Sequence, residues 1–195
     1  MIDENVGGEP SQHRGDEDTK ARLLKKISPE ATTLALVRAG AFLTGYELVK
    51  NAIISSLESF FTSGADAYDG RRSAEYERVV LTLGRNPFEA SVRWLVREEV
   101  LSEDQASSLD DIYAHRHQLA HELARFLVDP ERDVNIAHLR QLQEIMRALD
   151  NFWGRIDAET SGDYDAADLE DSEMHSGSGL LFDYLLDLAQ IGDTR

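Results

Sequence analysis

Residues 102–128, SEDQASSLDDIYAHRHQLAHELARFLV, carry the pattern that decides the fold. Ser102 followed by Gln105 is a capping box that opens a helix, and Asp129-Pro130 closes it. At about 100° per residue, Leu109, Ile112, Tyr113, Leu119, Ala120, Leu123, Phe126 and Leu127 share one apolar stripe. Asp111, His115, Gln118, Glu122, Arg125 and Asp129 fall on an unbroken polar face. The spacing predicts one helix from Ser102 to about Val128.

The flanking sequence repeats the same grammar. Ser28-Pro29-Glu30 starts a long helix that carries Phe42, Tyr46, Val49, Ile53, Leu57 and Phe60 at three-to-four spacing and ends near Thr62, at Ser63-Gly64. A second helix is expected from Ser73 to Leu83, stopped by Gly84. Asn86-Pro87-Phe88-Glu89 starts a third that runs to Val100. A fifth runs from about Val134 to Ile156, with Leu139, Leu142, Met146, Leu149, Trp153 and Ile156 inward. No useful strand alternation and no internal repeat occur. The fold class expected is all-α, a four-to-five-helix up-and-down bundle with flexible tails.

The organisation expected is a flexible N-terminal arm over residues 1–27, the bundle over 28–156, an acidic linker over 157–178 and a short C-terminal helix over 179–195. The arm ends in a basic cluster, Lys20 to Lys26, and is expected to turn helical near its end. Asp157 to Ser178 holds eight acids and no Lys or Arg. The last segment, LLFDYLLDLAQI (Leu180 to Ile191), is amphipathic and needs a surface to pack on.

The formal charge of −17 argues against nonspecific nucleic-acid binding. Its distribution moderates this, because residues 29–156 hold 20 acids against 14 bases. With no cysteine there is no disulfide, thiol nucleophile or thiolate zinc site. The N-terminus has no apolar signal-peptide core, and no stretch is long and apolar enough to span a membrane. A cytoplasmic protein is expected.

Within the deciding stretch, His115 lies on the polar face and is given no role. Arg116 is the misfit. It sits in the apolar stripe, where an unpaired guanidinium would cost several kcal/mol. It requires either a carboxylate from another helix, Glu47 or Glu58, or a polar cleft. His117 and His121 lie on the border of the two faces, one turn apart. Such a pair can grip a transition metal, but HEXXH is absent and no third ligand is evident, so no metal and no cofactor are expected.

Arg116-His117-Gln118-Leu119-Ala120-His121 resembles the signature of HEPN domains: arginine, a polar residue, a short spacer, then histidine. HEPN proteins are four-to-five-helix bundles with this motif on a late helix, the order read above. The resemblance covers about residues 30–156 and is specific over six of them. It implies a metal-independent endoribonuclease of toxin-antitoxin or phage-defence type, acting as a homodimer with facing motifs on an RNA substrate, with an antitoxin protein as a further partner. Arg116 would hold the nonbridging phosphate oxygens. His121 would serve as general base or acid, and His117 would orient a partner or assist proton transfer. A cyclic 2′,3′-phosphate would result. HEPN toxins paired with nucleotidyltransferase antitoxins commonly carry tyrosine two positions after the histidine; here Leu123 stands there, so control by tyrosine modification is not expected.

Arg116 and His121 are five residues apart and diverge by roughly 140° on a straight helix. A site pooled across a two-fold axis would reconcile them. The alternative is a noncatalytic HEPN-like dimerisation or interaction module with Arg116 in a structural ion pair. A small metal-binding helical protein using His117 and His121 is a more distant reading.

Two further expectations concern charge. Arg71, Arg72, Arg78, Arg85, Arg93 and Arg97 either pair with Glu75, Glu77, Glu89, Glu98 and Glu99 or form an RNA track. The C-terminal helix either completes the core or holds the acidic linker over a basic cleft.

Overall fold

The computed structural model describes residues 11–62, 72–161 and 174–191, with side chains from residue 17 onward. Among them the chain is all-helical: eight α-helices and one 3-10 turn, with no strand. The expected loop after Ser63 and most of the acidic linker lie outside the described residues.

The long helix forms as its sequence dictates. Helix α1 spans Ser11–Lys26 and α2 spans Pro29–Phe61. Ser28 Oγ accepts the Ala31 N–H at 3.2 Å and Pro29 occupies the first turn. The stripe Phe42, Tyr46, Val49, Ile53 and Leu57 is buried, making α2 the central member of the bundle.

The shorter elements depart from expectation for local reasons. The second helix divides into α3, Ala74–Val79, and a 3-10 turn, Leu81–Leu83, because Val80 bends to φ −102°. Helix α4, Pro87–Arg97, stops three residues before the expected Val100. Glu99 takes a left-handed φ of 59°, its N–H donating to Val96 O and the Val100 N–H to Leu95 O. That is a Schellman stop with glutamate where glycine is usual, so no glycine marks it along the chain.

The deciding stretch is two helices rather than one: α5, Glu103–His121, and α6, Leu123–Val128. The capping box at Ser102 and Gln105 is present as expected. The break is at Glu122, φ −124° and ψ 26°. Its carboxylate is held by Arg125 and by Arg132, which lies beyond the helix. The bend turns Phe126 into the core.

Helix α7 spans Ile136–Ser161 and so runs into residues expected to begin the acidic linker. Ala158 is buried, continuing the inner face, and the Thr160 and Ser161 hydroxyls donate back to the Ile156 and Ala158 carbonyls. Apolar periodicity outlasted the change in charge.

Helix α8, Gly177–Gln190, lies between α2 and α7 and buries Phe182, Leu186 and Ala189. It runs antiparallel to α2, Gly45 meeting Phe182 and Arg38 Nε donating to Ala189 O at 2.9 Å. Both contacts are close-fitted. A methyl at Gly45 would stand 2.9 Å from the Phe182 ring, and one at Gly179 would stand 2.1 Å from Asp150 Oδ2. Asp150 is buried at the start of α8, where its Oδ2 accepts the Ser176 N–H and faces the positive end of the helix dipole.

Helix α1 is attached differently. Arg22 pairs with Glu131, and Lys26 Nζ meets Asp133 Oδ1 and Arg132 O, both at 2.6 Å. Leu23, Leu24 and Ile27 stay exposed. No helix among the described residues is long and apolar enough to cross a membrane.

Candidate active site

Helix α5 sorts the three neighbouring histidines and Arg116 into two environments. Leu109, Ile112 and Leu119 bury one side against the core. Arg116 emerges beside α2, where its guanidinium donates to Glu47 Oε1 at 2.9 Å and lies 5.7 Å from the Tyr46 ring centre. Its side chain is 30% exposed and Glu47 is 40% exposed, so the pair sits at a surface rather than in the core. Arg116 Nε is buried without a hydrogen-bond partner among the described residues. Both sequence expectations for Arg116 therefore hold together: a carboxylate from α2 neutralises it, and it lines a cleft.

That cleft, about 1130 Å³, opens between α2, α4 and α5. Tyr46, Phe88, Val92, Val96 and Leu109 give it an apolar floor. Five cations (Lys50, Arg85, Arg93, Arg97, Arg116) line it against four carboxylates (Glu47, Glu89, Glu103, Asp110), a locally basic balance in a strongly acidic chain. The cations are not free. Arg93 binds Glu89 at 2.7 Å and Leu83 O at 2.8 Å, and Arg85 and Glu89 approach at 3.5 Å. Arg97 holds Glu98, and Lys50 shares Glu47 with Arg116. Arg78 pairs with Glu75 and Arg72 with Glu58. Of the two expectations for the arginine cluster, acid pairing describes these residues; Arg71 lies outside them.

The electrostatics follow the contacts. The Tyr46 phenol is pushed up, first by burial and then by Glu47, with Arg116 pulling the other way. Glu89 is held low, first by the Arg85 backbone N–H and then by Arg93 and Arg85.

His117 and His121 are exposed and do not line the cleft. Their rings are 4.4 Å apart, and His117 is 6.3 Å from Tyr113, itself 53% exposed at the cleft mouth. Tyr113 in turn lies 6.3 Å from Tyr46. A row of rings thus leads from the cleft wall to His121. Within one chain Arg116 and His121 point to different places, as the helical spacing required.

His115 is a correction. Expected on a solvated face, it is half-buried, edge-on to Phe42 at 4.9 Å, Phe126 at 5.7 Å and His138 at 5.5 Å. Its Nε2 accepts the Asn135 N–H at 3.1 Å, and Asn135 Oδ1 in turn accepts the Ala137 N–H at the start of α7. Burial, and secondarily His138, holds its imidazole below the ordinary histidine range.

Sequence reasoning missed Tyr46, Lys50, Phe88, Val92, Glu103 and Asp110 as cleft residues. The i, i+4 placement of Tyr46 and Lys50 on α2, and of Phe88 and Val92 on α4, was the only available sign. Among the described residues no group of three or more His, Asp or Glu is arranged to hold a metal. The chain matches no known family model, curated protein or solved structure.

Proposed function

We propose that this chain is a metal-independent endoribonuclease of HEPN type, serving a toxin-antitoxin or phage-defence system, whose site is completed across a homodimer. The observation that carries the reading is the divided placement of the motif. Arg116 lies at the wall of an open, cation-lined cleft, while His117 and His121 stand exposed beside its mouth without hydrogen bonds of their own among the described residues.

RNA carries its nucleophile in the 2′-hydroxyl, so the protein needs only proton transfer and charge stabilisation. One imidazole accepts the 2′-OH proton as that oxygen attacks phosphorus; a second delivers a proton to the departing 5′-oxygen. The products are a 2′,3′-cyclic phosphate and a 5′-hydroxyl. His121 takes one of these roles, with His117 assisting. Arg116 of the opposed copy would meet the nonbridging oxygens, exchanging Glu47 for the phosphate as negative charge builds. The antitoxin and the RNA target belong to the same proposal.

The Arg116–Glu47 ion pair favours a second reading, a noncatalytic HEPN-like dimerisation or interaction module in which that pair is structural. One experiment separates them: cleavage of labelled RNA with and without EDTA by wild type, Arg116→Ala, His121→Ala and Glu47→Gln. EDTA-resistant cleavage lost in the first two and kept in Glu47→Gln supports the enzyme. No cleavage by a folded wild type, with Arg116→Ala and Glu47→Gln equally destabilised, supports the module.

A further inference from the structure

The four histidines of α5 and α7 divide into two that are half-buried and two that are exposed. His115 Nε2 is occupied by the Asn135 N–H, and His138 Nδ1 is buried against the same cluster. His117 and His121 are exposed, and their ring nitrogens make no hydrogen bond among the described residues. They project from adjacent turns of α5 with ring centres 4.4 Å apart and planes inclined at 52°.

That separation has a chemical meaning. Two imidazoles bound tetrahedrally to one zinc ion through nitrogens at about 2.0–2.1 Å hold their ring centres roughly 5 Å apart. The observed rings lie within about 1 Å of that separation, so side-chain rotation alone brings a nitrogen of each onto one ion while α5 keeps both on the same side. Imidazole favours zinc, copper and nickel over magnesium and calcium. The neighbouring carboxylate, Glu122, is engaged by Arg125 and Arg132, so the remaining coordination positions fall to water.

We infer that His117 and His121 form a two-imidazole Zn²⁺ site on the last turn of α5, and that filling it withdraws His121 from proton transfer. The first part stands on the pair alone; the second rests on the ribonuclease reading. Zinc here is an inhibitor rather than a cofactor. It ties the last residue of α5 to the preceding turn, immediately before the bend at Glu122.

Calorimetric titration of the full chain with ZnCl₂ tests the site. One ion per chain is expected, weakened on the order of tenfold or more in His117→Ala and in His121→Ala, and unchanged in His175→Ala, an exposed histidine elsewhere. Zinc should raise the melting temperature of wild type and not of either site variant. Circular dichroism of each variant confirms that loss of binding is not loss of fold. No binding at millimolar zinc, or binding indifferent to both substitutions, overturns the site whether or not the protein cleaves RNA. If it cleaves, zinc should inhibit with the same midpoint as the titration; binding without inhibition overturns the second part alone.

Discussion

The two sides of α5 use the same residue type in opposite ways. His115 faces Phe42, Phe126 and His138 and anchors the start of α7, whereas His121, six residues on, faces solvent. What separates them is the neighbourhood that returns over each. The bend at Glu122 brings Phe126 back onto His115, and the backbone of Asn135 closes over it. Nothing among the described residues closes over His121. A helical wheel contains one side of this information only, since it knows angles but not which later segments come back.

The largest expected effect breaks the comparison at the level of chemistry. His121→Asn should lower RNA cleavage by about 10²–10⁴-fold with little change in melting temperature. His115→Asn should do the reverse, lowering the melting temperature while folded protein retains its cleavage rate. Rate and thermal melt measured on both variants check this. Equal losses of rate would merge the two sides and count against the ribonuclease assignment.

Next comes packing. Leu119 is fully buried between Gln118 and Ala120, both exposed. Leu119→Ala should cost about 2–5 kcal/mol in denaturant unfolding. Gln118→Ala, on the open side, should stay within roughly 0.5 kcal/mol.

The two histidine environments also predict a pH dependence with a definite sign. The folded chain holds His115 below the ordinary histidine value of 6.5, so below that pH the unfolded chain binds more protons than the folded one. The stability contributed is present above pH 6.5 and is lost as pH falls through the lowered folded value. Protonation would also end Nε2's acceptance of the Asn135 N–H and set a charge against His138. The urea midpoint of wild type should therefore rise from acid toward neutral pH, and His115→Gln should flatten that part of the rise.

Helix existence was legible in the sequence wherever a cap and an apolar period coincided, as at Ser28 and Ser102. The partner of Arg116 was legible too. An arginine in an apolar stripe demands a carboxylate, and α2 offers Glu47 and Glu58, of which Glu47 takes it. What could not be read were features made by contacts distant in sequence, or by backbone turns with no marker residue. Glu122 breaks the helix while tied to Arg132, Glu99 adopts a positive φ without glycine, and Tyr46 and Phe88 meet in the cleft from different helices. Apolar character did foretell that the last helix would pack; that Asp150 and two glycines seat it depends on contacts between residues far apart along the chain.

The smallest effect sharpens the comparison where it originates, at the bend itself. Glu122 accepts from Arg132 at 2.8 Å and from Arg125 at 3.1 Å, all three partly open to water. Such pairs are screened and typically contribute roughly 0–1 kcal/mol. A double-mutant cycle with Glu122→Ala and Arg132→Ala should give a coupling in that range, falling in molar salt. The bend is then held chiefly by Phe126, buried beyond it, and Phe126→Ala should outweigh the ion pair several-fold, at about 3–5 kcal/mol. A coupling above that of Phe126 would reverse the order of causes. The ion pair would then fold the chain back over His115, and the burial of that histidine would be a consequence of surface charge.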